Sequence, residues 1–367
     1  MKILHICSDF FYTAVYSNLF YSLEKNNVDN TIYVPKCEEN YTTEFNLITA
    51  KRRYSLVERF LFYNKENVGF KHICESININ EISVVHSHNL FSGGFIAYKI
   101  FKTFGIPYIV AVRNTDLYVF FKFMIHLRKL GVEIMNSAQK VIFISPSYKK
   151  NVIDKYIPQG LKNTINYKSV VIPNGIDVFF LKNLYSRGNF TWDGENIKII
   201  SICELVDNKN VITTIKACEF LKSKYNVQLT IVGEMIDKKY NMIVKKHDFI
   251  TYHKKCNKET VLEFLRQSDI FVMPSFKETF GLVYAEALSQ GMPIVYAKGQ
   301  GIDGFFKDGE VGFSVNPTNY ESIADTIIDI YNSYSSISMN CIDRVSAFDW
   351  EKISEYYQNL YLNKEIF

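Results

Sequence analysis

Short apolar runs, each closed by a polar turn and followed by a stretch of helical spacing, recur along the whole chain. Residues 1–7 (MKILHIC) open the series, and apolar positions then return at helical intervals through Leu19 and Leu23, which predicts a strand and then a helix. The pattern predicts further strands at 30–34 (NTIYV), 82–86 (ISVVH), 106–112 (IPYIVAV), 140–144 (KVIFI) and 168–172 (KSVVI). These runs are rich in Val and Ile at successive positions and are separated by helical stretches, as in a parallel sheet covered on both faces. After Pro173-Asn174-Gly175 comes a polar stretch, 182–196 (KNLYSRGNFTWDGEN), which reads as a linker. A second series of strands follows at 197–203, 227–232, 248–252, 269–273 and 293–297, with helices expected around 208–224, 258–267 and 280–290. The expectation is α/β with two doubly wound domains, residues 1–178 and 179–344, and a terminal helix in 345–367 that packs back on the first. Ligands of such sheets bind beyond the carboxyl ends of the strands. The loops after Cys203, Val232, Met273 and Ala297 are therefore expected to line one site.

Length and composition fit this picture. A chain of 367 residues that is 47% hydrophobic and 22% charged is too long for one core and too apolar for disorder. No apolar run approaches the roughly 20 residues needed to cross a bilayer, and the first residues lack a signal-peptide layout, so a cytoplasmic protein is expected. Seven cysteines (Cys7, Cys37, Cys74, Cys203, Cys218, Cys256, Cys341) form no CxxC pair, which reads as free thiols. Net charge is +4, unevenly spread: residues 1–178 hold 21 Lys and Arg against 14 Asp and Glu, the remainder 21 against 24. A basic first half suits an anionic partner such as membrane phospholipid or a diphosphate-bearing acceptor. Nucleic acid is disfavoured, since no helix carries a dense basic stripe.

The segment richest in chemistry is 274–295, PSFKETFGLVYAEALSQGMPIV. A strand ends at Pro274-Ser275 and a helix is expected to begin near Phe280-Gly281, leaving the amides of Phe280, Gly281 and Leu282 free to hold a diphosphate. Glu278 beside them does not serve anion affinity. A carboxylate there accepts hydrogen bonds from hydroxyls, which a sugar supplies. Glu286, two turns on, is placed to hold ribose hydroxyls.

This segment resembles the E-x7-E signature of family 4 of the retaining glycosyltransferases, matching at Pro274, Ser275, Glu278, Phe280, Gly281, Leu282, Glu286, Ala287, Gly291 and Pro293. Residues 171–177 (VIPNGID), 230–233 (TIVG) and 299–312 (GQGIDGFFKDGEVG) resemble further motifs of that family. The resemblance implies a GT-B fold, two Rossmann-like domains facing a central cleft, in which a sugar passes from a nucleotide diphosphate donor, UDP-linked by expectation, to a saccharide acceptor. It implies that Glu278 contacts the donor sugar, Glu286 the ribose, and the amides of Phe280, Gly281 and Leu282 the diphosphate, with Thr279 beside them on the donor side. Gly233 and His253, at the ends of two second-domain strands, are placed with them on the donor side. No metal or other cofactor is expected. Bacterial enzymes of surface-polysaccharide assembly carry similar variants, which makes a lipid-linked acceptor the expected partner. A GT-B nucleotide-sugar epimerase and a catalytically silent partner protein are the alternatives.

Two departures stand out. Relatives carry an Arg and, five residues later, a Lys at the leaving diphosphate; here CELVDNKN supplies Glu204 and Lys209, with Lys298 as candidate replacement cation. Where many relatives have HGxD, this chain has Arg113-Asn114-Thr115-Asp116. Arg113 is expected to hold a phosphate or to pair with Asp116, and Asn114, Asp116 and His88 are placed on the acceptor side. His86 and His88 are not expected to form a zinc site, since no further ligand stands near them at metal spacing. Segment 118–130 (YVFFKFMIHLRKL), with Lys122, Arg128 and Lys129, reads either as a helix docking on anionic membrane or as a core helix.

Overall fold

A computed structural model describes residues 1–35, 45–49, 61–188 and 190–363. Cys37 and the last four residues of the expected terminal helix lie outside them. The chain divides into two compact units. The first comprises residues 1–144, 149–174 and the chain from Trp350 onward, and the second residues 145–148 and 175–349.

The first unit is built on a seven-stranded sheet: β1 (Lys2–Ile6), β2 (Asp29–Val34), β3 (Leu47–Thr49), β4 (Val84–Ser87), β5 (Tyr108–Val112), β6 (Lys140–Phe143) and β7 (Ser169–Val171). Their order is β3-β2-β1-β4-β5-β6-β7, and every pairing is parallel. The second unit has β8 (Asn196–Ile202), β9 (Asn226–Val232), β10 (Ile250–His253), β11 (Ile270–Met273), β12 (Ile294–Ala297) and β13 (Gly312–Val315). These lie in the order β10-β9-β8-β11-β12-β13, again all parallel. Eleven of the strands fall where the apolar runs predict them. β3 is only three residues long and β13 begins on a glycine, so neither presents enough alternation to be read.

The terminal helix Trp350–Tyr361 belongs to the core of the first unit. Trp350, Ile353, Tyr357, Leu360 and Tyr361 are buried with Leu19, Phe20 and Leu23 of the helix Ala14–Lys25. Each such aliphatic or aromatic side chain contributes about 1.5–3 kcal/mol of burial. Asn26 fixes the register: its side chain donates to Ser354 Oγ (2.8 Å), and its carbonyl accepts from Gln358 Nε2 (2.8 Å).

Segment 118–130 is not one helix. A π-helical turn spans Asp116–Phe121 and runs on through Phe123, the chain opens at Met124, a 3-10 turn follows at Ile125–Leu127, and a regular helix begins at Arg128. Arg128 Nε donates to the Phe121 carbonyl (2.6 Å) and so closes the break. Leu117, Phe121 and Leu127 point into the core, whereas Phe123 (69%) and Ile125 (64%) are exposed. The core reading thus holds for one side of a broken segment, and the other side is exposed. No helix among the described residues is long and apolar enough to cross a membrane.

Parallel pairing of β1 with β4 sets His5 opposite His86, and His88 follows on the same face. Ring nitrogens of all three lie within 4.8 Å of one another, so a third imidazole does stand beside His86 and His88, contrary to the sequence expectation. It comes from 81 residues earlier and leaves no local spacing to read. Asn30 Oδ1 accepts from His5 Nε2 (2.9 Å), which leaves His5 Nδ1 to accept from His88 Nε2 (3.1 Å). His86 Nδ1 meets the Tyr361 hydroxyl at 2.8 Å. His86 Nε2 and His88 Nδ1 are buried without a partner among the described residues, at a cost of about 1–3 kcal/mol each. Burial holds His5 down to about 3 and pushes His86 and His88 well below the ordinary histidine value, so all three rings are neutral.

A base depressed in the folded state takes up its proton only on unfolding. Each ring therefore subtracts about 1.4 kcal/mol of stability for every pH unit below about 6.5. The ring signals of His5, His86 and His88 should hold their neutral shifts by NMR from pH 8 to pH 5, and titrate near 6.5 once the chain is unfolded in urea. A folded-state midpoint near 6.5 would mean that water reaches the cluster.

Candidate active site

In the second unit the loop after β8 and the loop after β11 are fastened together by asparagine. Asn210 stands in left-handed backbone (φ 57°) at the start of the helix Val211–Leu221, and its side-chain amide donates to the carbonyls of Pro274 (3.0 Å) and Pro317 (2.6 Å). Asn208 donates through Nδ2 to the Lys277 carbonyl (2.9 Å), and its own carbonyl accepts from the Phe276 amide (2.9 Å). Sequence reading passed over both asparagines. The signal was present in VDNKN, since Asn tolerates left-handed backbone and bonds main-chain groups locally.

That fastening brings Lys209 to Glu278. Lys209 Nζ donates to Glu278 Oε2 at 2.7 Å, with both side chains largely buried. Glu278 Oε1 accepts from the Thr279 amide (3.2 Å). The loop after β12 completes the hold: Gln300 Oε1 accepts from the Glu278 amide (3.1 Å), and the Glu278 carbonyl accepts from the Gly301 amide (2.8 Å). Gly301 has φ 54°, and a Cβ there would stand 2.9 Å from Glu278 Cγ, so the contact requires glycine. Gln300 and Gly301 are the functional neighbours that motif reading did not single out.

A cavity of about 370 Å³ lies at the carboxyl end of the second sheet, lined by Glu204, Gly233, Lys255, Lys258, Val283 and Glu286 among others. The loops after β8, β9 and β10 and the helix Leu282–Leu288 form it. The loops after β11 and β12 meet at Glu278 instead. Gly233 is required because a Cβ would stand 1.8 Å from the Cys203 carbonyl. Burial, with the like charge of Asp177, pushes the Glu286 carboxyl up to about 7. Lys258 is bonded to Asp177 (2.9 Å), and no side chain or amide among the described residues bonds the Glu286 carboxylate. Burial pushes the Cys203 thiol up to about 12, with the charge of Lys209 opposing the rise and those of Glu278 and Glu204 adding to it.

Other expected donor residues stand differently. The helix after Gly281 spans only Leu282–Leu288, too short for much of a dipole, and the Phe280 side chain is core, packed on Phe305 and Phe348. Thr279 spends its amide on Glu278. His253 is outside the cavity lining: its ring packs on Phe264 (centroids 4.2 Å) and its carbonyl accepts from the Gly233 amide. Glu204 and Lys298 are exposed, Glu204 at the cavity and Lys298 outside its lining.

In the first unit, Asp116 is buried (1% exposed) and makes no ion pair with the Arg113 guanidinium. Its two oxygens accept three main-chain amides, those of Arg113 (2.8 Å), Leu90 (2.9 Å) and Phe91 (3.1 Å). Burial pushes its carboxyl up to about 6, and these amides and Arg113 restrain the rise. Burial likewise removes Asp116 and His88 from the acceptor side, where sequence reading placed them. The Arg113 side chain donates to the His88 carbonyl (3.3 Å) and to Asn174 Oδ1 (3.2 Å), and lies over the Tyr16 ring (5.9 Å). Asn114 is exposed.

Residues 15–179 match the model of Glycosyltransferase Family 4, and residues 186–344 that of Glycosyl transferases group 1. An uncharacterised glycosyltransferase of Methanocaldococcus jannaschii is 25% identical over 293 residues, 79% of this chain and 76% of its own. The capsular polysaccharide biosynthesis glycosyltransferase CapM of Staphylococcus aureus is 25% identical over 248 residues, 63% of this chain and 64% of its own. Among solved structures, HepE of Anabaena in complex with UDP superimposes with a TM-score of 0.70 at 14% identity, covering 99% of this chain and 100% of that one. That likeness shows the fold, which is GT-B.

Asp116→Asn removes the charge and turns an N–H toward main-chain N–H groups. It should lower the stability of the folded chain by about 1.5–3 kcal/mol, read as a shift of the urea midpoint at pH 7.5. An unshifted midpoint would return Asp116 to a role at a ligand.

Proposed function

The chain belongs to the GT-B glycosyltransferases, with a family 4 domain ahead of a group 1 domain, and we propose that it is a retaining enzyme that carries a sugar from UDP to a lipid-linked saccharide in polysaccharide assembly. The observation that carries the donor half is Glu286: a carboxylate without a partner among the described residues, at a cavity of nucleoside size. Such a group accepts from paired hydroxyls, and a ribose offers two. HepE, solved with UDP, and CapM, named for capsular polysaccharide, support the donor base and the pathway.

In this reading Lys209 and the loop amides neutralise the diphosphate, and Glu278 orients the sugar. The bond from the anomeric carbon to the diphosphate breaks, and the acceptor oxygen bonds to the same face. The acceptor proton passes to the departing phosphate oxygen. Charge grows on the leaving group as that bond breaks, so a fixed cation beside it lowers the barrier. The reading needs no metal ion. The acceptor half rests on the first unit, where exposed Val119, Phe123 and Ile125 stand among the exposed cations Lys122 and Lys129. Apolar wedges among cations suit a membrane with anionic headgroups, which supports action at its cytoplasmic face.

Calorimetry with nucleoside diphosphates tests the donor reading. UDP should bind more tightly than GDP or ADP, and its affinity should fall as pH drops from 8 to 6. Below about 7 Glu286 holds a proton that must leave before both oxygens can accept, a loss of up to about tenfold per pH unit. Glu286→Gln should bind weakly and lose this component of the pH dependence. A wild type that binds no nucleoside diphosphate sinks the assignment.

Flotation with liposomes tests the acceptor side. Binding to phosphatidylglycerol vesicles should be strong at low salt, fall as salt screens the attraction, and be weak to phosphatidylcholine. Phe123→Ser with Ile125→Ser, or charge reversal at Lys122 and Lys129, should release the protein without changing UDP affinity. Binding indifferent to lipid charge and to both variants would remove the membrane from the proposal.

A further inference from the structure

The two groups assigned to different parts of the donor, Lys209 to its phosphates and Glu278 to its sugar, are bonded to each other at 2.7 Å. We propose that this ion pair is a latch that makes sugar recognition conditional on the donor's diphosphate, a specificity determinant that rests on the donor-site reading above. While Lys209 Nζ holds Oε2, that oxygen is engaged by an ammonium and is a poor acceptor for a sugar hydroxyl. Glu278 Oε1 is already held by the Thr279 amide. The carboxylate therefore meets a sugar half-engaged until the lysine leaves.

The two ends of the latch differ in freedom. Glu278 is clamped on three sides, by Thr279 at its carboxylate and by Gln300 and Gly301 at its main chain, and a contact that admits only glycine packs against its Cγ. The Lys209 main chain is fixed by the flanking Asn208 and Asn210, while its ammonium sits on a flexible four-carbon stem. The lysine is accordingly the part that moves. A diphosphate arriving at the loop offers several charged oxygens in place of one carboxylate oxygen and draws the ammonium across. Oε2 is then uncovered for the sugar joined to that diphosphate. A free sugar brings no charge to do this. A nucleoside monophosphate lacks the phosphate adjacent to the sugar and leaves the latch shut.

The test is a double-mutant cycle on nucleotide binding, with UDP and UMP as probes, on the wild type, Glu278→Gln, Lys209→Met and the double variant. Thermal melts confirm that each is folded. Glu278→Gln frees the lysine in advance and should bind UDP about tenfold more tightly, with UMP unchanged; Lys209→Met should weaken UDP. In the Lys209→Met background the Glu278→Gln gain should vanish. If the gain persists there, it comes from simple repulsion between Glu278 and phosphate, and the latch is wrong. Unchanged or weaker UDP binding by folded Glu278→Gln also overturns it. Both of those outcomes leave the donor reading standing, whereas a wild type that binds no nucleoside diphosphate removes latch and donor reading together.

Discussion

The chemistry of the second unit depends on amide groups of two asparagines. A parallel sheet delivers loops to one edge, but it does not set the distance between them, and the side chains that must cooperate here come from loops separated by 69 positions. Asn208 and Asn210 set that distance by bonding the main chain of the opposite loop, independently of its side chains. The Asn210 bond to the Pro274 carbonyl is buried and therefore stiff, because an amide left without its partner there costs more than the bond gains. Lys209 lies between the two asparagines and inherits their precision at its main chain, while keeping the freedom of its own stem. The loop after β12 does the equivalent for Glu278, through Gln300 and through a glycine that lets the backbone come close.

The first unit solves a similar problem with charge. Asp116 gathers three amides from two loops into one buried carboxylate, so the turn after β5 and the start of the helix after β4 are held as one piece. A charged acceptor suits this task, since it can serve several donors at once and bonds each more strongly than a neutral oxygen would. The Arg113 guanidinium lies nearby on a carbonyl, an amide oxygen and an aromatic face. The two residues that look like an ion pair in RNTD therefore have separate duties. The contacts of both hold framework.

The division of labour between sequence and structure follows from the range of the interactions. Strands with five or so apolar residues and the dense E-x7-E segment were legible because their signals are local, and the two sheets and the place of Glu286 came out of them. Lys209 and Glu278 were each recognised, but their bond was not, since nothing in either loop reports the orientation of the other. His5 was passed over for the same reason: only β1–β4 pairing makes it a neighbour of His86 and His88. Segment 118–130 misled differently. Its apolar spacing is helical, but Arg128 finds the carbonyl of Phe121 and stabilises a break that propensity alone would not place. Asp116 was placed on the acceptor side because RNTD stands where relatives have HGxD, and burial by main-chain amides is invisible in a one-letter code.

The return of the terminal helix to the first unit has a consequence for how the chain is made. The bond between His86 and Tyr361 joins positions 275 residues apart, and Tyr357 and Leu360 fill the same core as Leu19 and Phe20. Chains emerge from the ribosome amino end first, and domains ordinarily complete themselves in that order. Here the order is inverted. All of the second unit has been synthesised before the first receives its last helix, so the earlier-made unit must wait with an apolar groove uncovered along Leu19, Phe20 and Leu23. Its exposure during synthesis lasts for the translation of the entire later unit.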